Sequence, residues 1–280
     1  VPELPEVETF VREIRPRLIG RTLRAPRLYH TDVLRGVTAA RLLRVLRNAE
    51  IVQVRRRAKH AVIQLASGMR LVIQPRMTGT LLVYDRRLRR EERRYAVLEA
   101  GIGGGARFVF RDVRRLGTIH LLDAEAWSAY DRAIGPEPLT RSFSREALGR
   151  CLHGSRQAIK KVLMDQRRLA GVGNIYAQEA LFRAGLDPSR PAHRLGPADI
   201  ARLHTALRTV LRASIRRRGT TVRDYRTSTG EPGAFQDALE VYGRAGEPCV
   251  RCGGRLAETH AIDGRTTTFC WRCQGRPASG

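Results

Sequence analysis

Apolar positions along this chain change period twice, and the changes divide it. Val7, Phe10, Ile14 and Leu18 recur at helical spacing behind Pro5, so residues 1–20 are expected to form a helix docked by one face. A shorter helix is expected from Arg35 to Arg47, with Leu42, Leu43 and Leu46 on its buried side. From Ile51 to Leu122 the period drops to two. Candidate strands there are Ile51–Val54, Ala61–Leu65, Leu71–Gln74, Thr80–Tyr84, Tyr95–Glu99, Phe108–Arg111 and Thr118–Leu122. Short strands separated by turn signals imply an antiparallel sandwich or flattened barrel. Gly103-Gly104-Gly105 reads as a hairpin loop, because no helix follows it to make a phosphate cradle.

Residues 134–143 contain Gly135-Pro136-Glu137-Pro138 and read as a linker. Helical periods then return over Arg145–Leu152, Arg156–Met164, Ile175–Ala184 and Pro197–Arg217. The polar stretch 219–233 is long enough to be a mobile functional loop rather than a plain connector. The fold class is therefore α+β. A sheet domain spans 1–133, a helical domain 144–244, a cysteine-bearing module 245–275 and a tail 276–280.

Charge adds a partner to this outline. The chain has 280 residues, 42% of them hydrophobic, which is enough for two domains with cores of their own. Its formal net charge is +25, spread over the whole length, and such an imbalance favours a polyanion, nucleic acid first. No apolar run approaches the roughly 18 residues of a membrane span, and no signal peptide precedes the first helix. A soluble, cytoplasmic, nucleoid-associated monomer without a membrane partner or a nucleotide cofactor is expected. Of 52 Lys and Arg residues, lysine occurs only at 59, 160 and 161. A lysine that survives such an arginine bias tends to sit where an amine is needed.

Three motifs carry chemistry. Cys249-Val-Arg-Cys252 and Cys270-Trp-Arg-Cys273 are two CxxC pairs separated by seventeen residues, the spacing that grips one tetrahedral zinc from a β-hairpin. Four thiolates leave no open coordination position, so the zinc is expected to be structural; redox use is the alternative. Arg265 falls near the hairpin turn, within reach of a backbone phosphate, whereas Cys151 reads as a core filler. Gly171-Val-Gly173-Asn174 opens a helix and offers backbone N–H groups to a phosphate. Finally, a proline at a free N-terminus is a secondary amine with a pKa of about 7.7–8.0, against about 10.4 for lysine. It is an able nucleophile at neutral pH, and Glu3 beside Pro2 is placed to move protons.

In order along the chain, Pro2-Glu3-Leu4-Pro5-Glu6, Arg57-Ala-Lys59, Met77-Thr-Gly79, Asp112-Val-Arg-Arg-Leu-Gly117, Leu163-Met-Asp165, Gly171-Val-Gly-Asn-Ile-Tyr176, Val241-Tyr-Gly-Arg244 and the four cysteines are present. Together they resemble the formamidopyrimidine-DNA glycosylase/endonuclease VIII family of base-excision repair enzymes. Leu4 and the intact Gly-Asn-Ile-Tyr-Ala string resemble the formamidopyrimidine branch more closely. The resemblance implies a two-layer antiparallel β-sandwich with flanking helices, then a helix-two-turn-helix domain and a β-hairpin zinc finger. It also implies damaged double-stranded DNA as partner, removal of oxidised purines, and strand cleavage by β,δ-elimination.

Residue by residue, the resemblance makes Pro2 the nucleophile at C1′ and Glu3 the acid at the sugar ring oxygen. It makes Lys59 an essential amine near the lesion and Arg265 its phosphate grip. Asn174, Tyr242, Lys160 and, less closely, Arg156 match DNA-backbone contacts. Glu6 and Glu179 match supporting carboxylates. Met77, Arg114 and Leu116 match the side chains that fill the gap left by an extruded base. Two positions depart from the branch: Leu116 replaces a usual phenylalanine, and Gln74 stands where many members have a phosphate-contacting histidine. Val1 is the third departure, since any residue before Pro2 turns its nitrogen into an amide. The expectation is that a valine-coded start is initiated as methionine and removed, leaving Pro2 first. Two alternatives stand: an endonuclease VIII-like enzyme for oxidised pyrimidines, and a non-catalytic zinc-ribbon DNA-binding protein.

Overall fold

The computed structural model describes residues 2–220 and 233–275. It divides into two compact units, one of Val1–Arg132 with Arg217–Ala234, the other of Ala133–Arg216 with Phe235–Gly280.

In the first unit, α1 (Leu4–Leu18) is followed by β1 (Arg24–Leu28), α2 (Ala39–Leu46), β2 (Ile51–Arg57), β3 (His60–Leu65), β4 (Arg70–Gln74) and β5 (Gly79–Tyr84). Then come α3 (Arg90–Arg93), β6 (Ala96–Gly101), β7 (Arg107–Asp112), β8 (Thr118–Leu122) and α4 (Ala124–Arg132). The strands form two four-stranded sheets, ordered β1-β6-β7-β5 and β2-β3-β4-β8, with antiparallel pairing throughout. Ile63, Leu71 and Ile119 from one sheet and Leu81, Leu98 and Phe110 from the other belong to one buried cluster with Val7, Phe10 and Ile14 of α1. The unit is thus a two-layer sandwich with α1 packed into its core.

All seven expected strands are present, most of them a residue or two longer. Strand β1 and helices α3 and α4 lie outside the expectation. The reason for β1 is local: it carries Pro26, Ala25 sits at φ +42°, and its register with β6 shifts between Arg24 and Arg27. Those are marks of an edge strand with a bulge, which breaks alternation. Helix α4 has few large apolar side chains, but Trp127 covers Val62 and Val72 on the outward face of β3 and β4.

In the second unit, α5 (Arg145–Leu152), α6 (Ile159–Met164), α7 (Asn174–Ala184) and α8 (Pro197–Arg216) precede a hairpin of β9 (Ala257–Thr259) and β10 (Thr267–Phe269) and a final turn, α9 (Trp271–Gln274). Helix α6 starts three residues later than expected. The segment 155–159 instead pairs with 190–193, through Ile159 N–H to Arg190 O and His193 N–H to Ser155 O.

The stretch 134–143 is not a free linker. Gly135 N–H donates to Gln166 O, Ala170 N–H donates to Pro136 O, and Phe143 is buried against His204. A Cβ at Gly135 would lie 2.5 Å from the Arg168 carbonyl carbon, so glycine there reflects close packing and not flexibility. The chain also returns to the first unit at Arg217–Ala234, so the helical domain is discontinuous in sequence. Residues 221–232 of the expected functional loop, and the expected tail 276–280, lie outside the described residues.

Candidate functional site

In the sheet unit the chemistry begins at the head of α1. Pro5 occupies the first turn, where its missing N–H costs nothing, and Pro2 and Glu3 are carried in just ahead of the helix. Both are buried; Glu3 is 2% exposed. Glu6 is fully buried and holds this entry: one carboxylate oxygen accepts from Glu3 N–H at 2.8 Å, the other from Thr220 N–H at 2.8 Å. Glu13, two helical turns on, pairs with Arg218 at 2.7 Å. Helix α1 therefore ties the Pro2–Glu3 entry to the neck of the segment 219–233. That neck is tight, since a Cβ on Gly233 would lie 2.3 Å from Gly219 O.

Lys59 lies with Ala58 in the two-residue turn between β2 and β3, where Arg57 and His60 face each other. Gln74, half-buried, ends β4.

The three wedge candidates come from two separate turns that one carboxylate joins. Asp112, 1% exposed, accepts Thr78 Oγ1 and, at 2.7 Å, Gly117 N–H. Arg114 N–H donates both to Asp112 and to Thr78 Oγ1. Met77 and Leu116 stay about two-fifths exposed, 40% and 39%, and the Arg114 guanidinium reaches Met77 Sδ at 3.7 Å. Exposed apolar side chains locked beside an arginine are unusual for core packing and suit contact with a base stack. Gly117 cannot be replaced cheaply: a Cβ would meet Phe110 at 2.7 Å and Gln74 O at 2.9 Å. Asp112 opens the Asp112–Gly117 motif, yet the family resemblance implies no role for it. A carboxylate amid arginines, two residues before the wedge, was the available signal.

In the helical unit, Asn174 begins α7 and its Nδ2 donates to Thr266 O at 3.2 Å. Gln178 donates to Thr266 O and accepts from Thr268 N–H at 2.7 Å, which stitches the hairpin strand to the helix. Glu179 is fully buried and its carboxylate takes three backbone N–H groups, from Glu240, Val241 and Tyr242, at 2.9–3.0 Å. It thereby shapes the backbone that presents the half-buried Tyr242. Burial pushes this carboxyl above its ordinary range, while the three amides pull it back.

Lys160 departs from its expected place on the DNA backbone. Its side chain is fully buried, and Nζ donates to Asp263 at 3.0 Å and to Thr267 Oγ1 at 2.8 Å. Asp263 also accepts from Arg265 N–H at 3.2 Å. The ammonium therefore pins the hairpin turn that displays the exposed Arg265. Arg156 is exposed in the turn before α6.

Below that hairpin, the sulfurs of Cys249, Cys252, Cys270 and Cys273 all lie within 4.8 Å of one another. The Cys249–Cys273 and Cys252–Cys270 separations are 3.8 and 3.5 Å. Four sulfurs at about 2.3 Å from a tetrahedral zinc would stand about 3.8 Å apart, so the donor set and its size fit that ion. One pair comes from the turn before β9, the other from the end of β10 and the first turn of α9. Cys249 and Cys270 pack with Phe182 of α7, Val241 and Leu256.

Family models match both units: residues 1–119 fit the formamidopyrimidine-DNA glycosylase N-terminal domain, and residues 134–226 fit the formamidopyrimidine-DNA glycosylase H2TH domain. A formamidopyrimidine-DNA glycosylase of Thermomicrobium roseum is 42% identical, over 98% of this chain and 99% of that relative. One from Alcanivorax borkumensis is 40% identical, over 98% and 100%. Among solved structures, a complex of the Lactococcus lactis enzyme with DNA containing an abasic site is 30% identical and superposes with a TM-score of 0.90, over 98% of this chain and all of that one. The Thermus thermophilus enzyme is 37% identical with a TM-score of 0.85, over 99% and 100%. With both units matched and the similarity running end to end, this chain belongs to the formamidopyrimidine-DNA glycosylase family.

Proposed function

We propose that the protein is a bifunctional DNA glycosylase and abasic-site lyase of base-excision repair, acting in the cytoplasm on oxidised purines in double-stranded DNA. The observation that carries the reading is the Pro2–Glu3 pair, buried at the head of α1 and held there by Glu6 in a chain of this family. The Lactococcus lactis relatives are described in complex with DNA containing an abasic site or Fapy-dG, which supports damaged DNA as the partner.

In this reading the Pro2 nitrogen attacks C1′ of the damaged nucleotide and the C1′–base bond breaks. Glu3 protonates the ring oxygen as the sugar opens, and a C=N⁺ iminium forms. The iminium accepts the electron pair left when the 2′ proton departs, which expels the 3′ phosphate; a second elimination expels the 5′ phosphate. Hydrolysis then returns the proline amine. Lys59 assists near the lesion, and Asn174, Tyr242, Gln74 and Arg265 hold the backbone. Met77, Arg114 and Leu116 fill the vacated stack. Cys249, Cys252, Cys270 and Cys273 would hold one zinc ion, which supplies folding energy to the hairpin and takes no part in the reaction.

The test is borohydride reduction during turnover on duplexes carrying 8-oxoguanine opposite cytosine or thymine glycol. A covalent protein–DNA adduct through Pro2, formed faster with 8-oxoguanine, is expected. Acylating the terminus, or retaining a residue before Pro2, should abolish it. Absence of any adduct from protein whose intact mass begins at Pro2 defeats the mechanism. Faster trapping on thymine glycol moves the substrate to oxidised pyrimidines.

A further inference from the structure

The turn that carries Lys59 is strained, and something must hold it. Ala58 sits at φ +50°, a left-handed conformation that costs a residue with a Cβ about 1–2 kcal/mol and that glycine adopts freely. In a two-residue hairpin loop this is the position where glycine is ordinarily found. Ala58 is 1% exposed, and its carbonyl accepts from Arg56 Nη1 at 2.9 Å.

Both residues that flank the turn are gripped from α4. The Arg57 guanidinium donates to Asp131 Oδ1 at 2.5 Å and to the Asp131 carbonyl at 3.4 Å. His60, 7% exposed, places Nδ1 3.1 Å from Arg57 O and Nε2 3.0 Å from the Tyr130 hydroxyl. Burial lowers the His60 pKa to about 4, so the ring is neutral at physiological pH. A carbonyl only accepts, so Nδ1 carries the proton, Nε2 is the acceptor and the Tyr130 hydroxyl donates. The Tyr130 ring also packs on His120 and Trp127, which anchors it to the sheet. The chain of contacts thus runs from α4 through His60 to the carbonyl immediately before Ala58.

We infer that α4 is a positioning element for Lys59, with Tyr130 and Asp131 acting through His60 and Arg57 to hold the strained Ala58-Lys59 turn. The inference rests on the role given to Lys59 above. It assigns a catalytic consequence to a helix that no motif of the family resemblance includes.

Tyr130→Phe removes the hydroxyl that donates to His60 Nε2 and keeps the ring. Its single-turnover excision rate on 8-oxoguanine DNA should fall about tenfold, because a small misplacement of a catalytic group is enough for that. The dissociation constant for a duplex with a stable abasic analogue should stay within about twofold, since phosphate contacts are untouched. Adding Ala58→Gly should restore most of the rate, because glycine takes the turn conformation without help. Asp131→Asn, at a partly exposed position, should show the same split in weaker form and serves if Tyr130→Phe folds poorly. A wild-type rate in both variants, or a loss that Ala58→Gly leaves unrepaired, overturns the inference alone. A full rate in Lys59→Ala overturns the reading of Lys59 and the inference with it.

Discussion

The sheet unit and the cysteine hairpin both hold short turns in fixed positions, and they do it by different physics. Around the Met77 and Arg114–Leu116 turns, a sandwich core running from Val7 to Leu121 supplies a rigid floor, and one buried carboxylate, Asp112, ties the turns to each other. The hairpin that presents Arg265 rests on a cluster of five buried residues, two of them cysteines. So small a core cannot fix a hairpin by burial alone, and structural metals are the usual supplement. A large core lets polar groups specialise in positioning. A small one needs its strongest bonds for folding.

The sharpest way to break the comparison is to chelate the metal ion that the four cysteines could bind. Structural zinc contributes about 10–16 kcal/mol to folding in small zinc modules, so strong chelation or Cys249→Ser should unfold the hairpin and remove most DNA affinity. Amide hydrogen exchange should then rise across residues 245–275 while strands β3, β4 and β7 keep their protection. Equal loss in both units would show that the sheet unit leans on the cysteines.

Next in size is Lys160→Met. Removing one partner of a buried ion pair costs about 3–5 kcal/mol, because Asp263 would keep a charge with no counter-ion. Thermal unfolding should register that loss, and adding Asp263→Asn should recover much of it. If Lys160 instead contacts DNA directly, the double variant will stay stable but bind as weakly as the single one.

The sheet unit should answer to acid. His60 has its folded pKa lowered from 6.5 to about 4 by burial, so its neutral form is the one that folding favours. The contribution is fully present above pH 6.5 and is lost as pH falls through about 4, worth about 3 kcal/mol. Denaturant titrations from pH 7 to 4 should show this slope, and His60→Gln should flatten it.

The smallest effect belongs to Asp112→Asn. One amide hydrogen would face a backbone or hydroxyl donor, a loss of about 1–3 kcal/mol. Excision should slow while the hairpin's hydrogen exchange stays unchanged.

The clustering of the four cysteines was legible before the structure, because CxxC spacing is a local property. The roles proposed for Pro2 and Glu3 rest likewise on residue type and position in the chain. The seven expected strands followed from alternation, because one face of each packs on a core. Helix α4 was not legible, since its only large apolar side chains are Trp127 and Tyr130, and its role depends on a sheet face that only folding creates. Lys160 was misplaced for a related reason. The family resemblance alone assigned it a DNA-backbone contact, and nothing near it in the chain points to its partner, Asp263, 103 residues away.

What the chain determined by itself, then, is local: a Pro2-Glu3 motif, four cysteines spaced to cluster, a surplus of positive charge and the periods of its strands. These depend on residue identity and near-neighbour spacing. The tertiary structure alone decided which polar groups are buried, and with whom. Asp112 joins two turns, Glu6 links the helix entry to Thr220, and Lys160 turns inward to Asp263. Burial and long-range pairing are properties of the packed chain, so no stretch of sequence contains them.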